Sequence, residues 1–260
     1  MVRLRHNEPR PGLFDARYAI RSMGIDYDRG HVLPFHDHPW AQVIYAEAGV
    51  MQVGTRAATW LVPPTRAIWV PADVEHSIRM RSRVGMRTLY VAPSSGAWPT
   101  DCRALELTPL LRELILHIVR IDSMDPTLVE HERLIGVLAD LVTACDTVPL
   151  TLTLPEDHRA RRLAERILDD PAMDGTLAEL SRDAGASLRT LQRLFRTETG
   201  LSLESWRQRA RMQQAVVALS EGTTVTEAAL TAGYRSVSAF TGAFRKHFGV
   251  PPSRYHAARE

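Results

Sequence analysis

The sequence Thr-Leu-Ala-Glu-Leu-Ser-Arg-Asp-Ala-Gly at residues 176–185 returns later in the chain as Thr-Val-Thr-Glu-Ala-Ala-Leu-Thr-Ala-Gly at residues 224–233. In each copy a threonine and the glutamate three residues on form the capping box that begins a helix. The glycine suits the left-handed residue that ends that helix, and Ser187 or Ser236 then caps a second one. The sequence therefore predicts one helix-turn-helix unit used twice, at residues 176–197 and 224–247.

The second helix of each unit has an apolar face and a polar face. The residues predicted to face the core recur every three or four positions: Leu188, Leu191, Leu194 and Phe195 in the first copy, and Val237, Phe240, Ala243 and Phe244 in the second. Two short helices around a glycine turn, the second with exposed cations, are typical of DNA-binding proteins. The alternative is a plain helical hairpin whose charges are only solvated. Two matched copies favour DNA binding.

Between the copies, residues 202–220 contain neither glycine nor proline and predict one helix. At ~1.5 Å per residue it would span ~28 Å, which is long enough to hold two DNA-contacting helices about one turn of the duplex apart. The segment 155–258 resembles the DNA-binding domain of AraC/XylS-type transcription regulators. The resemblance rests on these residues: 191–196 (Leu-Gln-Arg-Leu-Phe-Arg), Glu198, Thr199, Gly200, Trp206, Arg211, Ala215, Gly233, Tyr234, 238–240 (Ser-Ala-Phe), Phe244, Arg245 and 248–252 (Phe-Gly-Val-Pro-Pro).

The polar faces supply the candidate DNA contacts. Arginine can bond guanine edges and glutamine can bond adenine edges. The candidate base contacts are Arg189, Gln192, Arg193, Ser238 and Thr241, of which the first three also stand where the family places its base contacts. The candidate contacts to the DNA backbone are Ser187, Thr190, Arg196, Arg235, Ser236, Arg245 and Lys246. Because Ser238 and Thr241 are short and Gly242 has no side chain, we expect the second helix to position the protein more than it specifies sequence.

Composition sets limits on partners and compartment. The formal net charge is +2, so DNA affinity has to come from where the cations sit and not from bulk charge. Cys102 and Cys145 have neither metal nor redox spacing, and the start of the chain lacks the apolar core of a signal peptide. No apolar run approaches membrane-spanning length. We therefore expect a bacterial cytoplasmic protein associated with the nucleoid, with no membrane partner.

Residues 1–30 are expected to be polar and irregular, whereas residues 31–91 have the texture of a β domain. Short apolar runs separated by Gly and Pro predict strands at 41–46, 50–53, 60–62, 67–70, 77–80 and 86–91. Gly30, His36, His38, Gln42 and Gly49, followed by Pro71 and His76, have a spacing that resembles the two cupin motifs. The fold expected for the chain is therefore α+β with two domains: a cupin-like β-barrel, a helical linker and an all-α double helix-turn-helix domain.

Three histidines and one glutamine are the candidate metal ligands. His36, His38, His76 and Gln42 would converge inside the barrel, and imidazoles suit Zn²⁺, Ni²⁺ or a similar divalent ion. Metal-binding cupins usually carry glutamate where Gln42 stands, and an amide holds a dication more weakly than a carboxylate does. The alternative is that these groups line an effector pocket or are satisfied within the barrel. No cofactor is required.

Four aromatic residues are candidates for an effector pocket, with plain core packing as the alternative: Trp40, Tyr45, Trp60 and Trp69. Further on, Thr108 and Pro109 begin one helix and Asp125 and Pro126 begin another. These helices either pack on the barrel alone or, as the family resemblance implies, form a dimer contact. The predicted domains are 1–100 (sensor), 101–154 (linker and dimerisation) and 155–260 (DNA-binding).

Together these features predict a sequence-specific transcription regulator controlled by a small-molecule or metal effector in the cupin-like domain. Its expected partners are operator or promoter DNA, a second copy of the chain, the effector and RNA polymerase. The alternative is a metal-dependent cupin enzyme with an accessory helical domain. An enzyme would be expected to keep a carboxylate among its metal ligands, so Gln42 favours the non-enzymatic hypothesis, with no catalytic residues.

Overall fold

The computed structural model describes residues 12–145, 151–171 and 176–255. Their contacts divide the chain into two compact units. The first contains the described residues up to Thr55 and those from Val62 to Cys145; the second contains Arg56–Leu61 and the described residues from Thr151 onward. Residues 1–11 of the predicted sensor and 146–150 of the predicted linker lie outside the described residues, as do 172–175 and 256–260.

The strands, in chain order, are β1 (Ile20–Tyr27), β2 (Val32–His36), β3 (Ala41–Ala48), β4 (Met51–Gly54), β5 (Ala58–Val62), β6 (Arg66–Val70), β7 (His76–Met80), β8 (Val84–Val91), β9 (Arg103–Glu106), β10 (Ser123–Met124) and β11 (Thr151–Thr153). In the first unit, a six-stranded antiparallel sheet has the order β10-β1-β8-β3-β6-β9. Strands β2, β7 and β4 lie side by side in a second sheet. In the second unit, β11 pairs with β5, with Thr151 opposite Trp60.

Two helices cover one face of the six-stranded sheet: α1 (Pro109–Ile121) and α2 (Val129–Ala144). Thr108 caps α1 by accepting a hydrogen bond from the Leu111 backbone N–H, and Pro109 occupies the first turn, which confirms the predicted start. Because side chains alternate along a strand, Val43 and Tyr45 of β3 pack in the core beneath these helices. Gln42 and Ile44 lie on the opposite face of the same strand.

The described residues of the second unit form six α-helices: α3 (His158–Asp169), α4 (Leu177–Asp183), α5 (Leu188–Thr199), α6 (Leu203–Ser220), α7 (Val225–Thr231) and α8 (Val237–Phe248). The core of its first half is formed by apolar residues of β11, α3, α4, α5 and the start of α6. None of the described helices combines the length and apolar content needed to cross a membrane.

The fold confirms the expected class and corrects several local predictions. Residues 20–27, expected to be irregular, form β1, whose full length pairs with β8. The helix predicted to begin at Asp125 begins at Val129, because Asp125 Oδ1 accepts hydrogen bonds from Thr127 and so forms a turn before α2. Val237, predicted to face the core, is 39% exposed.

Candidate functional site

Both predicted helix-turn-helix units are present, with the same local chemistry. The Glu179 backbone N–H donates to Thr176 Oγ1 at 3.3 Å, and Glu179 Oε2 accepts from the Thr176 backbone N–H at 2.7 Å. Thr224 and Glu227 make the same reciprocal pair at 3.2 and 3.0 Å. The repeated capping box confirms that the two α4–α5 and α7–α8 units begin in the same way.

The predicted division of α5 into two faces is confirmed. Leu191 and Phe195 are fully buried, and the Phe195 ring meets the edge of Trp206 of α6 at a centroid distance of 5.4 Å. The side chains of Arg189, Gln192, Arg193 and Arg196 are exposed. Within the described residues these four side chains make neither an ion pair nor a hydrogen bond. A row of cations and an amide without protein partners is available to an external anion or base edge.

Two of the predicted backbone contacts on α5 have a structural role as well. Ser187 caps the helix by accepting from the Thr190 backbone N–H at 3.2 Å. Its hydroxyl also lies 2.8 Å from the Thr190 hydroxyl, and Thr190 is half-buried. Phosphate groups favour helix N-termini of this kind.

The corresponding face of α8 is poorer in polar groups. Arg235, Ser236 and Ser238 are exposed at its start, with the Ser236 and Ser238 hydroxyls 3.3 Å apart, whereas Thr241 is half-buried. Arg245 and Lys246 are exposed in its last turn. Within α8 itself, the cationic side chains Arg245 and Lys246 thus lie in the last turn, a position better suited to phosphate groups than to base edges.

Helix α6 contacts both helix-turn-helix units. Near its start, the Trp206 ring meets Phe195 of α5, and Trp206 Nε1 donates to the Thr153 carbonyl of β11 at 2.9 Å. Two residues on, Gln208 Nε2 donates to the Ala232 carbonyl, in the turn of the second helix-turn-helix unit, at 3.2 Å. One continuous helix therefore contacts both helix-turn-helix units.

The three candidate histidines come together in the first unit. His36 ends β2 and His76 begins β7, and the two are direct partners in the antiparallel pairing. His38 lies two residues beyond the end of β2, in the loop that leads to β3. One ring nitrogen from each histidine lies within 4.8 Å of the other two. His38 and His76 are buried, whereas His36 is half-buried at the rim.

Backbone carbonyls fix which nitrogen of each ring is protonated. The Nδ1 atoms of His36 and His76 each lie 2.8 Å from a carbonyl oxygen, those of Pro34 and Val74, and His38 Nδ1 lies 2.5 Å from the Trp40 carbonyl. A carbonyl oxygen can only accept, so each Nδ1 donates and each neutral ring keeps its lone pair on Nε2. This is the tautomer that second-shell partners impose on metal-binding histidines.

Gln42 completes the cluster. Its Oε1 lies 3.0 Å from His76 Nε2 and 3.2 Å from His38 Nε2. Its Nε2 donates to the buried Thr88 hydroxyl at 2.8 Å, and that hydroxyl donates to the Val43 carbonyl at 2.9 Å. The sequence pattern did not indicate Thr88, which comes from β8, beside β3 in the sheet.

Burial favours the neutral form of the two buried imidazoles. It lowers the pKa of His38, and it lowers the pKa of His76 to about 4. Neutral nitrogen donors and an amide oxygen fit a borderline divalent ion such as Zn²⁺ better than Mg²⁺ or Ca²⁺. Because tetrahedral zinc holds its ligand nitrogens ~3.3 Å apart, binding would require the widest separation between these nitrogens to shorten by at most ~1.5 Å, which side-chain rotation can supply.

Only one of the four predicted pocket aromatics lies beside the histidines. Trp40 is in a small cluster with Phe14 and Tyr90, and the Phe14 and Tyr90 rings lie 5.8 and 5.2 Å from the His38 ring. The sequence pattern did not indicate Phe14 or Tyr90. In the structure Tyr90 of β8 lies opposite Gln42 of β3, and the alternation of residues along β8 is the signal that could have indicated Tyr90.

The other three aromatics have core positions. Tyr45 and Trp69 lie in the core between the six-stranded sheet and α1 and α2. Trp69 stacks on Trp98 and donates from Nε1 to the Pro99 carbonyl at 2.9 Å. Trp60 is 5% exposed and belongs to the second unit, on β5. Their positions match the core alternative raised for them.

Comparisons with known proteins agree with this division of the chain. Residues 22–144 match the family described as AraC-like ligand binding domain, and residues 180–258 match the family described as helix-turn-helix domain. The HTH-type transcriptional regulator NimR of Escherichia coli K12 is 35% identical over 224 residues, which cover 86% of this chain and 82% of NimR. The HTH-type transcriptional regulator RipA of Corynebacterium glutamicum is 36% identical over 110 residues, 42% of this chain and 33% of RipA. Among solved structures, ToxT from Vibrio cholerae is 11% identical, with a TM-score of 0.37 over 91% of this chain and 97% of that one.

Proposed function

The chain belongs to the AraC family of transcription regulators, and from that premise we propose that it binds an operator through α5 and α8 under control of an effector bound at the histidine-lined end of its ligand-binding domain. It is a regulator with an N-terminal ligand-binding domain and a C-terminal helix-turn-helix region. We assign it no catalytic residue, in keeping with relatives that are named as transcription regulators.

The observation that carries the DNA-binding role is the outer face of α5. Arg189, Gln192 and Arg193 present three long polar side chains on one exposed face, and none of them has an ion pair or hydrogen bond with another described residue. Arginine pairs with guanine O6 and N7, and glutamine pairs with adenine N6 and N7, in the major groove. We assign base recognition to these three residues and phosphate contact to Arg196, with Ser187 and Thr190 at the helix N-terminus.

Helix α8 has a different role in DNA binding in this proposal. Ser238 and Thr241 are the only base contacts we assign to it, and their short side chains contribute little discrimination. Arg245 and Lys246, with Arg235 and Ser236 at the start of the helix, bind the phosphate backbone. Base contacts specify and phosphate contacts position, so α5 sets the preferred sequence and α8 sets the register.

The effector is a small molecule or a metal ion at the end of the barrel where His36, His38, His76 and Gln42 converge. His36 is the half-buried member and gives this end of the barrel its contact with solvent. Phe14 and Tyr90 flank His38 and supply apolar surface beside the polar groups. This combination of a few convergent polar groups and aromatic walls is typical of ligand sites.

The protein acts as a homodimer in this proposal, through the outer faces of α1 and α2. Leu110 of α1 is 60% exposed, and Val129 and Val137 of α2 are 54% and 41% exposed. Val129 and Val137 are two helical turns apart and lie on one face of α2. Apolar side chains in this arrangement are suited to a second copy of the same helices.

The test is retention of DNA in an electrophoretic assay at moderate salt, using the DNA upstream of the protein's own coding sequence and a random duplex of equal length. We expect selective retention of the upstream DNA, which the combined variant Arg189→Ala, Gln192→Ala, Arg193→Ala abolishes. Arg83→Ala, at an exposed arginine in the loop between β7 and β8, is the matched control and should bind like the wild type. Equal retention of both duplexes by wild-type protein, together with no enriched sequence in co-purified genomic DNA, would contradict the proposal.

A further inference from the structure

In the ligand-binding domain, the Nε2 atoms of His36, His38 and His76 and the Oε1 atom of Gln42 cluster together, and each has a lone pair to offer. His38 Nε2 and His76 Nε2 point at Gln42 Oε1 from 3.2 and 3.0 Å, and the His36 ring lies 4.4 Å from the His76 ring. Each Nδ1 donates to a backbone carbonyl, so each neutral ring has only an acceptor to offer at Nε2. An amide oxygen is also only an acceptor, so no hydrogen bond joins the rings to Gln42.

A buried set of acceptors needs either hydrogen-bond donors or a cation, and with Gln42 Oε1 toward the rings Gln42 supplies neither. Two routes provide one: both buried rings become imidazolium, or a cation occupies the space between the four atoms. The first places two positive charges in the interior with ring centroids 5.1 Å apart. Charges that are buried and unpaired carry a desolvation penalty of several kcal/mol each. A metal cation satisfies all four lone pairs at once.

The amide of Gln42 offers the site a second arrangement that needs no cation. After a half-turn of the amide, its NH₂ group would donate to both His38 Nε2 and His76 Nε2. The Thr88 hydroxyl, which in the structure donates to the Val43 carbonyl and accepts from the amide, would reverse and donate to Oε1. Every polar atom of the triad and of Gln42 would then have a partner without metal.

We propose that this cluster is a reversible site for one borderline divalent cation, in which the Gln42 amide is the switch and Thr88 is its positioning residue. With Oε1 toward the rings, His36, His38 and His76 bind the cation through Nε2 and Gln42 binds it through Oε1. With NH₂ toward the rings, the empty site is fully hydrogen-bonded. This inference rests on the proposed function, because it names the class of effector for the same end of the barrel.

Glutamine is the residue that makes such a site reversible. A carboxylate at position 42 has no N–H to donate, so an empty site would leave acceptors against acceptors or take up a proton. An amide is satisfied in both states and adds no negative charge to the cation-bound one. The expected affinity is therefore moderate, and the set of nitrogen donors favours Zn²⁺, Co²⁺ or Ni²⁺ over Mg²⁺.

The switch has a direct route to the helices of the same unit. Thr88 and Gln42 lie on β8 and β3, whose neighbouring residues Leu89, Val43 and Tyr45 pack under α1 and α2 on the other face of the sheet. Reversal of the Thr88 hydroxyl withdraws its bond from the Val43 carbonyl. The orientation of the Gln42 amide is therefore coupled, through Thr88 and Val43, to the core on which α1 and α2 pack.

The experiment is a calorimetric titration of the full chain, prepared without a histidine tag and stripped of metal, with Zn²⁺, and a parallel titration with Co²⁺ followed by its visible absorption. We expect one equivalent to bind, with the intense ligand-field bands of nitrogen-coordinated, tetrahedral Co²⁺. Gln42→Glu should bind at least ~10-fold tighter, because a carboxylate adds charge to the ligand set. Thr88→Val should weaken binding ~10–100-fold and Thr88→Ser should retain it, as expected for a residue that orients a ligand. His117→Ala, an exposed histidine on α1, is the control.

Nitrogen NMR of the unaltered protein provides a readout that does not depend on variants folding. In the metal-free protein the Gln42 side-chain NH₂ protons should couple through hydrogen bonds to imidazole nitrogen atoms, and saturation with Zn²⁺ should remove that coupling. Absence of binding below millimolar Zn²⁺ would overturn the inference, and so would an unchanged affinity in Gln42→Glu. The titration needs no DNA, so its failure leaves the proposed regulator intact, and a failure of operator retention leaves the cation site intact.

Discussion

Arg193 is one of the three residues to which we assign base recognition. It lies on the outer face of α5 without an ion pair or hydrogen bond in the described part of the chain, so its guanidinium could contact DNA without first breaking a protein contact. We expect Arg193→Ala to cost ~1–3 kcal/mol of operator binding and to relax the preference at one base pair, because a bidentate contact to guanine is lost. Fluorescence anisotropy with operator and single-base-pair variants measures both effects.

The control for this prediction is Arg83→Ala, which removes the same charge from the loop between β7 and β8. It should leave operator affinity unchanged. Equal losses for Arg193→Ala on operator and on random DNA would show that Arg193 contacts phosphate and not a base.

Gly185 and Gly233 form a matched pair of turn residues with different surroundings. Both have left-handed φ values, +75° and +81°, but a Cβ on Gly185 meets nothing within 4 Å, whereas one on Gly233 lies 3.1 Å from Arg211 Nη1. Arg211 Nε also donates to the Pro171 carbonyl at 3.1 Å. We expect Gly185→Ala to cost the ~1–2 kcal/mol of a left-handed alanine, and Gly233→Ala to cost ~1 kcal/mol more, because Arg211 has to move.

Urea unfolding followed by far-UV circular dichroism tests this order of stabilities. The double variant Gly233→Ala, Arg211→Ala should lie closer to Gly185→Ala than Gly233→Ala alone, once the loss from Arg211→Ala is subtracted. Equal effects of the two glycine substitutions would show that Arg211 adjusts without cost.

The two helices that we propose to contact DNA, α5 and α8, begin with the same capping chemistry but have different surfaces. Helix α5 has exposed arginines and a glutamine in its middle, whereas α8 has Gly242 there and its cations, Arg245 and Lys246, in the last turn. Arg245→Ala should weaken binding to all sequences and reduce the slope of log affinity against log salt by ~1, because one phosphate contact is lost. Thr241→Ala should leave the preferred sequence nearly unchanged.

Binding-site selection with each variant, and salt titrations on operator and random DNA, measure these outcomes. Arg193→Ala serves as the contrast, since it should change the selected sequence. A new base preference in Thr241→Ala would show that α8 specifies sequence as α5 does.

The proposed homodimer depends on exposed apolar residues of α1 and α2. If α1 and α2 form the dimer contact, Val137→Asp should shift the protein toward monomer, because it places a charge in an apolar interface. Operator affinity should fall with it, since two linked DNA-binding domains gain from effective concentration. Sedimentation velocity over a range of protein concentrations measures the dimer, and Leu230→Asp, at an equally apolar exposed position on α7, is the control.

Wild-type protein that sediments as a monomer at tens of micromolar would contradict the homodimer proposal. A Val137→Asp variant that remains a dimer, with Leu110→Asp also without effect, would move the interface elsewhere.

In the C-terminal half of this protein, local sequence patterns were enough to predict the helix starts, the turns and the buried faces. Capping boxes, glycine turns and apolar residues three and four apart act between neighbours in the chain, so Thr176, Gly185 and their counterparts could be assigned without knowledge of tertiary contacts. The same holds for the exposed face of α5, since helical periodicity alone separates Leu191 and Phe195 from Arg189 and Arg193. The spacing of His36, His38, Gln42 and His76 likewise identified the four members of the cluster.

Contacts between residues distant in the sequence determined the sheet partners and the residues around the histidines, which those local patterns did not indicate. Sheet partners are distant in sequence, so β1 was missed, and nothing near Gln42 indicated that Thr88 of β8 would orient its amide. The face on which an aromatic residue lies also depends on its strand's neighbours: Tyr45 and Trp69 went to the core under the helices, and Phe14 and Tyr90 to the side of His38. Helical contacts form within four residues of the chain, whereas the chemistry of a barrel interior is set by side chains from many strands that meet only when the sheets close.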